Sequence, residues 1–309
     1  MFSTLMVVLP IFALIFAGWA ARKIGVLGPH ATSELNRFVV YLALPTLLFD
    51  IIAHTHGADL WQPGFIATYG LASGIVFAAT VVFRLKRRRD LADAAIDGLN
   101  AGYANTGFMG FPLALAAFGS ASLVPTTIAT IITVCVIFGG AIILIEIGLQ
   151  KDSRRGRLVL KVARSLAVNP LLVAPALGAL VPLTGATIPV PVEAVLKMLG
   201  GTASPCALVA LGLFLAQRPA IPSDVMTSVS LITLKLICQP VIAWLLATVV
   251  FRLPPLLTHT AVLLSALPTG TGPFMLAEFY RREADVTSNA ILFSTIISII
   301  TVSAYLAIA

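Results

Sequence analysis

The chain has 309 residues, 59% of them hydrophobic and only 11% charged, with a mean hydropathy of +1.01. A water-soluble fold of this length cannot bury so much apolar surface, so the class is a polytopic membrane protein. The net charge of +7 does not indicate a nucleic-acid partner, because the Lys and Arg residues sit in short loops between apolar stretches. There they set orientation in the bilayer.

A helix needs about 20 apolar residues to cross hydrocarbon. Ten such spans are predicted, at about 3–21, 34–53, 64–83, 92–117, 122–148, 160–181, 192–216, 224–251, 257–279 and 285–308. The first lacks a basic leader and is followed by Arg22-Lys23, which reads as a spanning helix and not as a cleaved signal. The loops leading from odd to even spans carry 17 of the 20 basic residues; the opposite side carries only Arg252, and Lys197 and Lys235 lie within spans. The positive-inside rule then places both termini on the non-cytoplasmic side. Cys135, Cys206 and Cys238 all fall in apolar spans, without a CxxC pair or a His at ligand spacing, so they are read as packing residues and no metal is expected.

The chain repeats itself. A shift of 160 residues places Pro10 on Pro170, Gly18 on Gly178, Gly25 on Gly185, Pro29 on Pro189, Pro45 on Pro205 and Gly110 on Gly270. The predicted organisation is therefore a first five-helix repeat over 1–149, a basic cytoplasmic linker over 150–159 and a second five-helix repeat over 160–309. Because each repeat holds an odd number of spans, the second copy is inverted in the membrane. The fold class expected is all-α, with ten transmembrane helices in two inverted repeats.

Spans four and nine are each interrupted by Pro and Gly. The first break reads Asn105-Thr106-Gly107-Phe108-Met109-Gly110-Phe111-Pro112, and the second Pro268-Thr269-Gly270-Thr271-Gly272-Pro273-Phe274. Backbone that leaves the helix in hydrocarbon must line a cavity or be buried in protein. Asn105 lies roughly 20 Å along span four and Pro268 roughly 17 Å along span nine at helical rise, from opposite faces of a core about 30 Å thick. Both breaks therefore reach the middle, where freed N–H groups and half-helix N-termini suit an anion. The same residues have plainer readings: a simple kink, an Asn105 amide bonding a neighbouring helix, or Thr106, Thr269 and Thr271 bonding back to their own backbone.

Lys235 sits near mid-depth in span eight, which makes it a candidate partner for a substrate carboxylate, or else one half of an internal pair. Asp50, late in span two, and Glu278, at the end of span nine, are candidates for carrying a coupling proton; an interfacial position explains both equally. Glu146 reads the same way, and Glu193 with Lys197 reads as a structural i,i+4 pair. Asp93 and Asp97 open span four, where they favour a helix N-terminus and can face a water-filled path. Pro45 and Pro205 kink spans two and seven at repeat-related points, with Thr46 and Ser204 beside them; the freed carbonyls face the site or shape a helix interface.

These residues carry a resemblance. Asn105-Thr106-x-x-Met109-Gly110-x-Pro112-Leu113 with Phe118-Gly119, then Ala266-Leu267-Pro268-x-Gly270-x-x-Pro273-Phe274 running on to Tyr280, and Tyr41-x-Ala43-Leu44-Pro45 together resemble the auxin efflux carrier family. That family includes the plant PIN-type carriers and bacterial malonate and malate carriers, and the likeness covers the whole chain. It implies a scaffold of spans one, two, six and seven that forms a homodimer. Spans three to five and eight to ten would form a moving transport unit, with spans four and nine crossing at Pro112 and Pro273. It further implies an organic anion bound beside that crossing, at Asn105, Pro112, Pro268 and Pro273, in an elevator-type cycle. The plant carriers have a long hydrophilic central loop; the short basic linker here resembles the compact bacterial members.

The function expected is a secondary active transporter in the cytoplasmic membrane, moving a small mono- or dicarboxylate such as malonate or malate. The alternatives are an anion channel, and an ion-coupled uptake carrier for another organic acid. No HExxH motif, Walker A motif or paired catalytic residues at mid-depth are present, so an enzyme is not expected. No cofactor is expected; the coupling ion is left open between Na⁺ and H⁺.

Overall fold

The computed structural model describes residues 2–54, 61–149, 164, 167–217, 224–282 and 284–308. The basic linker 150–159 and Arg218 lie outside the described residues. Twelve helical segments are used below: α1 Phe2–Lys23, α2 Ala31–Ala53, α3 Pro63–Lys86, α4 Leu91–Gly102, α5 Phe111–Phe118 and α6 Ser120–Leu149, followed by α7 Pro170–Thr184, α8 Val190–Ala216, α9 Val225–Val250, α10 Pro255–Ala266, α11 Gly272–Phe279 and α12 Ala284–Ile308. The described residues form no strand. Of these helices α2, α3, α6, α8, α9 and α12 are long and apolar enough to cross a membrane, and shorter apolar helices cover Val173–Thr184 and Pro255–Ala266.

Proline sets many of the boundaries. Pro63, Pro170 and Pro255 open α3, α7 and α10, where the missing N–H would have had no helical partner. At α7 the Asn169 side chain also accepts from the Leu171 amide; the start expected for this span near 160 lies outside the described residues. Inside the longer helices, a widened π turn precedes a proline at two points: Val39–Ala43 before Pro45 and Leu234–Cys238 before Pro240. Proline removes one backbone donor and collides with the carbonyl four residues back, and the wider turn relieves both.

Two groups of helices result. In one, α1 lies along α8, and α7 lies along the second half of α2, which also meets α8. In the other, α4 packs between α3 and the end of α6, while α9 meets α10 and α12. Glycine permits the closest approaches in the first group. A Cβ on Gly212 would stand 1.9 Å from the Ile15 carbonyl oxygen, and one on Gly18 would stand 2.2 Å from that of Val209. At Gly178, in α7, it would stand 2.7 Å from the Phe49 carbonyl oxygen of α2. Gly18 and Gly178 are 160 residues apart, as are Val209 and Phe49, whose carbonyl oxygens they approach.

Candidate functional site

Each interrupted stretch is two half-helices. The first run ends with α4 at Gly102 and resumes through a π turn over Thr106–Gly110 into α5. The second ends with α10 at Ala266 and resumes with α11 at Gly272. Pro268 forces Leu267 into an extended conformation, φ −61° and ψ 151°, which stops α10. The two interruptions then pair with each other. The Asn105 amide donates to the Pro268 carbonyl at 2.9 Å, and the Gly270 amide donates to the Tyr103 carbonyl at 3.1 Å. This antiparallel bridge, Ala104 against Thr269, satisfies backbone groups that no helix can serve.

The carbonyls at the half-helix C-termini are held from neighbouring helices. Lys235 in α9 is fully buried, and its Nζ donates to the Ser265 carbonyl and to Gln239 Oε1, both at 2.7 Å. Gln239 Nε2 in turn donates to Ser73 Oγ at 2.9 Å and to the Gly102 carbonyl at 3.4 Å. The Thr269 hydroxyl donates to the Asn100 carbonyl at 2.8 Å, while its amide donates to Ser294 Oγ of α12 at 3.1 Å.

The N-terminal ends of the other two half-helices face a cavity of about 320 Å³ between the two helix groups. One wall is the crossing itself: Asn105, Thr106, Gly107, Gly270, Thr271 and Gly272. Opposite it stand Val39, Leu44, Leu47 and Ile51 of α2 with Gly200, Gly201, Ala203 and Ala207 of α8. Tyr103 closes the back, its ring 5.6 Å from that of Phe138 and pressed on the backbone of Gly270 and Gly272. A Cβ at Gly270 would meet that ring at 2.7 Å, which is why the strand beside it is glycine-rich. Asn105 is 8% exposed and lines the cavity. Thr106 Oγ1 is buried without a partner. No charged residue lines the cavity among the described residues.

The structure thus brings six of the sequence-derived candidates to one wall and places the others elsewhere. Gly110 packs on Leu264 and Leu267 within the crossing. Pro112 and Pro273 sit in the first turns of α5 and α11; Pro273 is buried, and the Pro112 side chain lies outside the description. Pro268 contributes its carbonyl to the bridge, and Thr269 points to the Asn100 carbonyl instead of the cavity. Pro45 is buried between the lining residues Leu44 and Leu47, while the Thr46 hydroxyl bonds back to the Leu42 carbonyl at 2.7 Å. Pro205 is half-buried beside lining Ala203; the Ser204 side chain lies outside the description. Lys235 does not line the cavity, because its ammonium is turned to Ser265 and Gln239.

Asp50 and Glu278 are also outside the lining. Asp50 stands 3.0 Å from His54, which lies 3.8 Å from Glu193, itself paired with Lys197 at 2.5 Å. This is an ion cluster joining α2 to α8. Glu278 is half-buried at the end of α11. The α2 and α8 walls, Tyr103 and Gln239 escaped the reading of the sequence; only Gln239 leaves a trace there, four residues after Lys235 on the same helix face.

Comparison with known proteins gives the family. The membrane transport protein family matches residues 3–306. A protein of Rhizobium meliloti (strain 1021) named "Putative malonate transporter" is 32% identical over 302 residues, covering 97% of this chain and 93% of that one. An "Uncharacterized transporter" of Methanothermobacter thermautotrophicus is 27% identical over 297 residues, 95% of this chain and 94% of its own. "Auxin efflux carrier component 8" of Arabidopsis thaliana is 28% identical over 155 residues, 48% of this chain and 42% of its own. With the family matched from end to end over a helical membrane protein, the chain belongs to the membrane transport proteins of the auxin efflux carrier family and is a transporter, not an enzyme.

Proposed function

We propose that this transporter is a secondary active carrier of small organic anions, built from two inverted five-helix repeats. The carrying observation is the pairing of the two broken helices, Asn105 to Pro268 and Tyr103 to Gly270, with the unpartnered Thr106 hydroxyl and the Asn105 side chain on the cavity side. Two half-helix N-termini at one point offer backbone donors and partial positive charge to a carboxylate. The equivalent contacts of Gly18 and Gly178 support the repeat, since an inverted pair makes the same helix contact twice.

The cavity lies between the two helix groups, which suits an elevator: α1, α2, α7 and α8 as a dimerising scaffold, and the remaining helices carrying the crossing past it. In the orientation set by the basic loops, Leu44, Leu47 and Ile51 of α2 and Gly200 and Gly201 of α8 lie on the outer side of their helix midpoints, which supports reading this arrangement as an outward-facing state. The cytoplasmic side is closed by the ring contacts Phe214–Phe274 at 5.1 Å and Tyr41–Phe279 at 5.7 Å, with Asn36 Nδ2 donating to the Met275 carbonyl at 3.5 Å. Malonate is the first substrate to try, because the Rhizobium relative bears that name.

The test is uptake of labelled malonate and related mono- and dicarboxylates into proteoliposomes, with Na⁺ or pH gradients imposed and with exchange against unlabelled substrate. Saturable uptake with exchange is expected. Large single-channel currents, or no uptake of any organic acid, would sink the carrier reading.

A further inference from the structure

The crossing is balanced for one charge. Four half-helix ends meet there, and each carries about half an elementary charge. The two C-termini, at Gly102 and Ala266, together present about one negative charge. Lys235 answers them: its ammonium binds the Ser265 carbonyl directly, and it holds Gln239, whose amide binds the Gly102 carbonyl. The two N-termini, beginning at Thr106 and Gly272, together present about one positive charge to the cavity. A buried polar group without a partner, the Thr106 hydroxyl, stands on that same wall, with the largely buried Asn105 side chain beside it. They mark where one carboxylate is received.

Among the described residues no charged side chain lines the cavity to balance a second carboxylate. The facing wall is Val39, Leu44, Leu47, Ala203 and Ala207 with glycine. The ionisable groups on the surrounding helices are engaged or face elsewhere. On α2 and α8, Asp50 and His54 pair, as do Glu193 and Lys197. On α4, Asp97 pairs with Arg84 of α3 at 2.5 Å. Glu278 of α11 and Cys135 and Cys206 beside the walls do not line the cavity, and Tyr103 is the lining group that can titrate. A charge left unpaired against apolar walls is neutralised in preference to staying ionised.

Resting on the anion-carrier reading, we propose that the cavity accepts one net negative charge, so that a dicarboxylate is carried as its singly protonated form. The bound proton stays on the substrate's second carboxyl during the crossing and dissociates into solution on release. Proton coupling then needs no titrating side chain in the protein, and monocarboxylates with a short apolar body fit the same site.

The test is binding of malonate and of its monomethyl ester, a fixed monoanion, to the purified full chain across a range of pH. Above the second malonate pKa, malonate affinity is expected to fall about tenfold for each pH unit, following the monoanion population. The ester affinity is expected to stay constant over the same range, which also excludes a pH effect on the protein. Malonate affinity that is flat while the dianion replaces the monoanion, or malonate binding without ester binding, would overturn the single-charge proposal and leave the carrier reading standing. Binding of neither at any pH would overturn both.

Discussion

Lys235 Nζ lies 2.7 Å from the carbonyl oxygen of Ser265, the second-last residue of a helix that stops inside the protein. A helix that stops leaves its last four carbonyls without amide partners, and in a membrane interior no water replaces them. An ammonium at this point supplies both a donor and a counter-charge to the helix C-terminus. The cost of burying the cation is offset by two short hydrogen bonds and by the negative helix end it meets. The Lys235 ammonium is thus turned to the backbone of the crossing and away from the cavity.

Replacing Lys235 by Met should unsettle the fold first. Two bonds from a charged donor are lost, each typically about 1.5–3 kcal/mol, and the Ser265 carbonyl and Gln239 Oε1 remain buried without partners. A stability loss of about 3 kcal/mol is expected, read as a lowered Tm in detergent. Transport of mono- and dicarboxylates should fall together. An unchanged Tm with a selective loss of dianion binding would instead return Lys235 to the substrate.

The opposite signature is expected at the cavity wall. The Thr106 hydroxyl has no partner to lose, so Thr106→Val should leave Tm unchanged. Removing a hydrogen bond to a bound carboxylate should weaken binding about tenfold, which corresponds to about 1.4 kcal/mol. Asn105→Ala should do the same while keeping the backbone bond to Pro268. Wild-type affinity in a purified binding assay would show that the anion sits elsewhere.

The two breaks were legible because their cause is local: proline and glycine cannot continue a helix, and hydrocarbon does not tolerate the consequence. That Asn105 meets Pro268 was foreshadowed by depth alone. The partners of side chains were not legible, because they depend on elements far apart in the chain. Lys235 reads as a buried cation, but its acceptor exists only because α10 ends 30 residues further on. Thr46 and Thr269 look like ligands in sequence and spend their hydroxyls on carbonyls of Leu42 and Asn100. Of the α2 and α8 walls, Leu44 falls in the motif Tyr41-x-Ala43-Leu44-Pro45, while the other lining positions are small or apolar residues that many types would suit.

A second buried pair should behave as a unit. Arg84 Nε donates to Asp97 Oδ2 at 2.5 Å, and Arg84 Nη1 donates to the Thr227 hydroxyl at 3.0 Å, tying α3 and α4 to α9. Arg84→Met takes the guanidinium away from the buried Asp97 carboxylate and should cost about 3–5 kcal/mol. Changing both, to Met and Leu, should cost clearly less than the sum of the single changes. A double-mutant cycle in urea with Tm as a second readout measures this, and simple additivity would show that the pair is not coupled.

The ring contacts proposed to close the cytoplasmic side give a conformational prediction. Phe214 of α8 and Phe274 of α11 make an edge-on contact at 5.1 Å between the two helix groups. If the groups slide past each other during transport, this contact belongs to one end state and must break in the other. Phe214→Ala removes it, so the population should shift away from the outward-facing state. A cysteine at Gly107, which is exposed and has open space around its Cβ, reports on that state once Cys135, Cys206 and Cys238 are replaced. A membrane-impermeant maleimide added from outside should label the reporter readily in the parent and several-fold more slowly with Phe214→Ala. Equal rates would mean that the ring contact holds the fold together without biasing the two states.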